Sequence, residues 1–267
     1  MFLVGFVFHL LTFAQATVGI LEALSDVVEL QAGAQITNTV TVFNTGDDVR
    51  RVNIALYDRE PLDGATYRPP ATIEGSAAPF ITLESEAITV APGENRSFSY
   101  TVTVPEDHTD ARSYWSIIMF EPATALQDAE RSEEGLRVNT LTRYAYTLVL
   151  HANNPEPSDV SIRDVKPVPA DATRTAGPAI QAAFATDGMR ALPVTIQAQV
   201  FDRTTGDEAL STPARRMRLY PEYERTHTFD FSSLRGGQYE VLLLAEDPSE
   251  QMTAVRFDLD LGTPEDN

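Results

Sequence analysis

Apolar and polar residues alternate with a period of two through much of this chain. Across Gln35–Asn44 the apolar positions Ile36, Val40 and Val42 share one parity, and across Val49–Tyr57 they are Val52, Ile54 and Leu56. Successive side chains of a strand point to opposite faces, so this spacing predicts strands with one buried face. Val27–Leu30, Phe80–Leu83, Ala87–Val90, Phe98–Val104, the apolar run after Tyr114 and a long strand Val138–His151 extend the series. Turn clusters separate them: Gln31-Ala32-Gly33, Asn44 to Asp48 and Pro92-Gly93-Glu94. Pro105 ends the Phe98 strand because proline has no N–H for a ladder. The polar stretch Asp58–Pro79, with Pro69-Pro70, reads as an irregular crossing between sheets, and Gln127–Gly135 as an acidic linker. After Asn153-Asn154-Pro155-Glu156-Pro157 the pattern restarts, with strands near Val160–Val165, Ala179–Ala185, Val194–Phe201, Arg215–Tyr220, His227–Phe231, Tyr239–Ala245 and Ala254–Leu261.

Two segments of this pattern match each other. Asp110 to Tyr114-Trp115 runs into Ser116–Phe120, and Leu234 to Tyr239 runs into Glu240–Leu244; each is a polar turn, a tyrosine and an apolar strand. In immunoglobulin-like sandwiches a tyrosine at the entry to strand F turns back and bonds the preceding corner. Two such corners predict an all-β chain of two tandem immunoglobulin-like β-sandwich domains. The boundaries are 17–154 for the first and 155–267 for the second, which is immunoglobulin-like or fibronectin-like with a short polar tail. The hydroxyls of Tyr114 and Tyr239 are expected to bond backbone of their corners, and Trp115 to anchor the core between the sheets.

Residues 2–13 are almost entirely apolar and Ala14-Gln15-Ala16 follows, so residues 1–16 read as a signal peptide cleaved after Ala16. The run is too short to span a bilayer, and no later stretch is long enough either. The expected location is periplasmic, secreted or at the cell surface. The formal net charge is −19, spread as 21 acidic and 9 basic residues in 17–156 and 18 and 11 in 157–267. No basic stripe exists to neutralise phosphates, which excludes nucleic acid as a partner. There is no cysteine, so both sandwiches fold without an inter-sheet disulfide and no thiol chemistry is available.

Catalytic patterns are missing. The histidines His9, His108, His151 and His227 are scattered, with no second histidine at zinc-binding spacing. No G-x-S-x-G elbow, phosphate loop or dinucleotide fingerprint occurs. Pairs such as Asp58/Glu60 and Glu133/Glu134 follow from an acidic composition, while Asp258 and Asp260 alternate with Phe257 and Leu259 and face solvent. The reading is a non-enzymatic binding protein with no cofactor and no metal site.

The signal peptide, the two sandwiches, the strand Arg112-Ser113-Tyr114-Trp115-Ser116-Ile117-Ile118 and the long last strand before a proline hinge together resemble the periplasmic pilus chaperones of the chaperone–usher pathway. The resemblance implies that the last strand of domain one is donated to a protein subunit of the cell envelope or pilus, assisting its assembly. It also implies two basic residues in the interdomain cleft that hold the subunit's terminal carboxylate. Arg143 is one candidate; the first strand carries Glu22, Asp26 and Glu29 and no base. A second set, Leu30-Gln31-Ala32-Gly33, Ala91-Pro92-Gly93-Glu94, Val104-Pro105 and Tyr114-Trp115, is similar to the N-terminal domain of WxL-interacting cell-surface proteins. That resemblance implies an adhesion module for wall polymer or another envelope protein.

For the donated strand, one residue of register exchanges the two faces. The larger apolar area of Tyr144, Tyr146, Leu148 and Leu150 favours them as the core side. Leu141, Ala145 and Val149 are then left for the partner, with Arg143 as the carboxylate anchor.

Overall fold

The computed structural model describes residues 18–62, 64–123, 142–168 and 177–262. Residues 1–16, read as a signal peptide, the linker 127–135 and the candidate partner residue Leu141 lie outside the described residues. Domain one contains β1 (Val18–Ile20), β2 (Ser25–Leu30), β3 (Gln35–Asn44), β4 (Arg50–Tyr57), β5 (Ile81–Leu83), β6 (Ala87–Val90), β7 (Asn95–Thr103), β8 (Arg112–Pro122) and β9 (Tyr144–Ala152). They form two sheets, β1-β3-β7-β5 and β2-β9-β8-β4-β6. Domain two contains β10 (Val160–Val168), β11 (Ala179–Thr186), β12 (Leu192–Asp202), β13 (Glu208–Ser211), β14 (Arg215–Leu219), β15 (Arg225–Asp230), β16 (Gln238–Glu246) and β17 (Met252–Asp260). Its sheets are β10-β11-β15 and β13-β12-β16-β17, with β14 also on β12. The chain is all-β, two sandwiches in tandem. Its helical content among the described residues is one 3₁₀ turn, Ala78–Phe80.

Each core follows from the period-two pattern. In domain one Val40 and Val42 of β3 and Phe98, Tyr100 and Val102 of β7 face Ile54, Ile118, Phe120, Leu148 and Leu150 of the other sheet. Phe98 and Phe120 meet edge to face at 5.6 Å between centroids. In domain two Phe184, Ile196, Val200, Leu219, Phe231, Val241 and Leu243 fill the same role. Burying each such side chain contributes about 1.5–3 kcal/mol, which is what sets the register of every strand. The favoured face of β9 is the observed one: Tyr146, Leu148 and Leu150 are in the core and Tyr144 packs against it.

Three details differ from expectation. Tyr239 donates to Arg235 O at 3.0 Å, a corner to backbone as expected, but the Tyr114 hydroxyl meets the His108 side chain, Nε2, at 3.2 Å. The His108 ring also lies against Phe80, 5.2 Å away, and so fills the corner that backbone was expected to occupy. Trp115 does not lie between the two sheets of domain one; it is on the opposite face of β8 from Tyr114 and packs with Val149, Ala191 and Tyr220 across the domain junction. Finally, the short strands β1 and β13 had no legible alternation and were not expected.

The crossing Asp58–Pro79 is irregular but held. Asp58 is fully buried and its carboxylate accepts from Ser76 Oγ, Ser116 Oγ and Thr72 N, at 2.8, 2.9 and 2.8 Å. A buried carboxylate is tolerable only when its lone pairs are filled this way. Among the described residues no helix is long and apolar enough to cross a membrane.

Candidate functional site

β9 is covered unevenly, and that makes it the candidate site. On one side β8 pairs with its whole length, from Phe120↔Tyr144 to Arg112↔Ala152. On the other side β2 runs parallel to it, from Ser25↔Thr147 to Leu30↔Ala152. Cover starts where Thr147 N donates to Leu24 O at 2.9 Å. Upstream of that bond, Thr142 to Tyr146 have no strand partner on this edge among the described residues. Because Thr147 N points to the β2 side, backbone alternation points the N–H and C=O of Ala145 the same way. Among the described residues Ala145 therefore presents an unpaired donor and acceptor at the open edge.

The side chains beside this edge are fixed. Tyr144 donates to Val18 O at 2.6 Å, and Tyr100 donates to Asp26 Oδ2 at 2.8 Å, where Asn38 Nδ2 also donates at 2.8 Å. Tyr146 meets the Tyr100 hydroxyl at 3.4 Å. Burial, with these hydrogen bonds, holds the Tyr100 phenol well above its ordinary range, so it is a donor at every physiological pH. These bonds tie the side chains beside the edge to β1, β2 and β3.

The other end of β9 enters the cleft between the domains, a cavity of about 360 Å³. Domain one contributes Val27, Glu29 and His151; domain two contributes Arg190, Arg218 and the loop Asp247–Ser249. Arg190 binds the Glu29 carboxylate and donates to Pro155 O at 3.2 Å. Arg218 is half-buried and has no carboxylate partner among the described residues. Burial, with Arg216 close by, lowers its pKa against the opposing effect of Tyr220, so an anion in the cleft would relieve it. Burial, reinforced by Arg190 and Arg218 and opposed by Glu29, pushes the His151 imidazole down to about 4.

Opposite the cleft the junction is closed by packing. Trp115 meets Tyr220 at a tilt, 4.7 Å between centroids, and Tyr223 edge to face at 5.7 Å, and its Nε1 donates to Arg59 O at 3.1 Å. Gly75 must be glycine here: its φ is 77°, and a Cβ would sit 2.7 Å from the Trp115 ring. Arg112 bridges Glu74 of domain one and Glu222 of domain two, at 3.6 and 2.8 Å.

The sequence-derived partner residues therefore separate. Ala145 lies at the open edge. Arg143 adjoins it but pairs with Glu121 at 3.0 Å, and it is at the far end of β9 from the cleft, about 25 Å away at ~3.3 Å per residue. It cannot anchor a carboxylate there. Val149 is fully buried under domain two, beside Trp115 and Ala191, and is not available to a partner. Sequence reasoning missed Glu29–Arg190 and Arg218, because a pair between domains leaves no periodic or local signal; the only hint was the dense Arg215-Arg216-Met217-Arg218 run.

No protein-family model and no curated protein matches this chain. Solved structures do. A chain of the CsuC–CsuE chaperone–tip adhesion subunit complex from Csu pili of Acinetobacter baumannii is 12% identical at a TM-score of 0.49, with 90% of this chain and 98% of that chain covered. The class 5 fimbriae chaperone CfaA is 14% identical at 0.47, with 93% and 100% covered. A chain of the Salmonella enterica SafA pilin–SafB chaperone complex is 10% identical at 0.44, with 94% and 99% covered. Each of these likenesses extends along nearly the whole of this chain.

Proposed function

We propose that this protein is an exported, non-enzymatic assembly chaperone of the cell envelope, acting in the periplasm after removal of residues 1–16. It holds an extended segment of a pilus-like subunit against the open edge of β9. The observation that carries this reading is the half-covered strand: β2 stops protecting β9 at Thr147 and leaves the backbone groups of Ala145 without a partner among the described residues, on a proline-free edge. Such an edge is an aggregation hazard unless a partner uses it, and strand addition supplies backbone hydrogen bonds at low sequence cost. The unpaired Arg218 in the cleft is the base best placed for an acidic or terminal carboxylate of the subunit, in place of Arg143.

The test uses Ala145→Pro. The Ala145 N–H is not needed by β8, so the substitution removes the edge donor without breaking that ladder. Candidate secreted pilin-like subunits are co-expressed with it and complexes are weighed intact. The wild type forms a one-to-one complex in which the Ala145 amide is protected from exchange, and Ala145→Pro does not. Undiminished complex formation by the variant, or an Ala145 amide that stays unprotected in the complex, rejects strand addition at this edge. Intact mass of the native protein checks export: an N-terminus at Met1 rejects it.

A further inference from the structure

The domain junction is built around a buried imidazole and a buried hydroxyl. His151 on β9 and Ser113 on β8 are paired neighbours, and His151 Nδ1 lies 2.7 Å from Ser113 Oγ. That same oxygen accepts the Ala191 N–H of domain two at 2.7 Å, and the Ser113 N–H donates to Met189 O at 2.8 Å. Ser113 is thus fastened to domain two through both its backbone and its side chain. Its hydroxyl has one proton, and among the described residues the available acceptor for it is His151 Nδ1. The imidazole that completes this network is neutral, with its proton on Nε2.

A second proton on His151 breaks this arrangement in two ways. Nδ1–H would point at Ser113 Oγ and turn the serine proton away from its acceptor, inside a site where both residues are buried. It would also place a third cation beside Arg190, from the loop before β12, and Arg218, from β14. The facing acids do not offset this: Glu29 on β2 is held by Arg190, and Asp247 from the β16–β17 loop binds Ser249 and Gln251. Arg112, next to Ser113 on β8, is committed to Glu74 and Glu222.

We propose that the interdomain junction is a proton-operated latch, closed while His151 is neutral and released when His151 is protonated. Burial beside the two arginines favours the neutral form in the docked state, down to about pH 4. In an undocked state the exposed imidazole takes its proton at about 6.5. The undocked state therefore binds more protons between these values, and docking weakens as pH falls from 6.5 towards 4, then weakens no further. In an exported protein, whose compartment follows the outside medium, this range is one the junction would meet.

Hydrogen exchange reads the latch directly, because the Ser113 and Ala191 amides bond across the junction. Their protection, corrected for the intrinsic pH dependence of exchange, should fall about 20-fold between pH 7 and pH 5, while that of Val200 and Leu243 in the core of domain two stays constant. His151→Gln, neutral at all pH, should abolish the fall. An equal fall in His151→Gln, or no fall in the wild type, overturns the latch. If the variant does not fold, the wild-type imidazole decides by NMR titration: a midpoint displaced well below 6.5 supports the latch, because docking then opposes protonation, and one near pH 6.5 overturns it.

Discussion

β8 and β16 are the same strand of two sandwiches, each entered through a corner tyrosine, yet they are buried differently. From Tyr239 onward β16 alternates buried and half-buried residues, whereas β8 is buried on both faces from Ser113 to Phe120. The divergence flanks the corner tyrosine: before it domain one has buried Ser113 and domain two exposed Gln238, and after it domain one has Trp115 and domain two Glu240. In domain two the outer face of β16 stays half-exposed, with Glu240, Leu242, Leu244 and Glu246 along it and Arg256 beside Glu240 at 3.7 Å. In domain one the outer face carries Trp115 into Tyr220 and brings Ser113 to Ala191. One fold thus uses the same strand once as a solvated wall and once as the seat of the second domain. What distinguishes domain one is the outer face of a strand whose inner face is ordinary.

Breaking that contrast should have its largest effect at Trp115. Trp115→Ala removes a fully desolvated ring and leaves Tyr220 and Tyr223 facing a cavity, at an expected loss of about 3–5 kcal/mol. Glu240→Ala, at the same position of the other sandwich, should stay within about 0.5 kcal/mol. Urea unfolding followed by far-ultraviolet circular dichroism separates them. A Trp115→Ala loss no greater than that of Glu240→Ala would show that the junction is not held by packing.

The strand pattern made most of this architecture legible. Period-two runs located β3, β4 and β7, the apolar run after the Tyr114 corner located β8, the turn clusters located strand ends, and the bulk of Tyr144, Tyr146, Leu148 and Leu150 chose the right face of β9. What was not legible involves contacts between distant parts. Trp115 and Val149 read as residues of a sandwich or a partner surface, because a second domain covering an outer face leaves no periodicity of its own. The parallel pairing of β2 with β9 spans the whole of domain one in sequence, and it decides that the open edge is Thr142 to Tyr146 and not the full strand. Arg143 was placed near the cleft by resemblance, and the direction of β9 puts it at the other end. His151 read only as one of four scattered histidines; its geometry with Ser113 and Ala191 shows what it satisfies.

The two corners sharpen the comparison at a smaller scale. Tyr239→Phe should cost about 1 kcal/mol, since the Arg235 carbonyl loses its donor. Tyr114→Phe should cost less, because the partner His108 Nε2 is on a side chain that can turn towards water while Phe80 and Tyr114 keep their ring contact at 4.8 Å. Thermal unfolding of the two variants orders them, and equal losses would mean that the His108 ring is as fixed as backbone.

The smallest effect is expected at the exposed ion pairs that each sandwich carries on these sheets. Arg143 pairs with Glu121 at 3.0 Å in domain one, and Arg203 with Asp258 at 2.8 Å in domain two; both arginines are about half exposed. Water and salt screen such pairs, and holding two long side chains costs entropy, so each coupling should be below about 1 kcal/mol. Double-mutant cycles on the two pairs should give values that agree within error and shrink together as salt is added. A coupling at Arg143 that is larger and insensitive to salt would mean that this end of β9 is shielded from solvent, and the open edge beside Ala145 would then need another boundary.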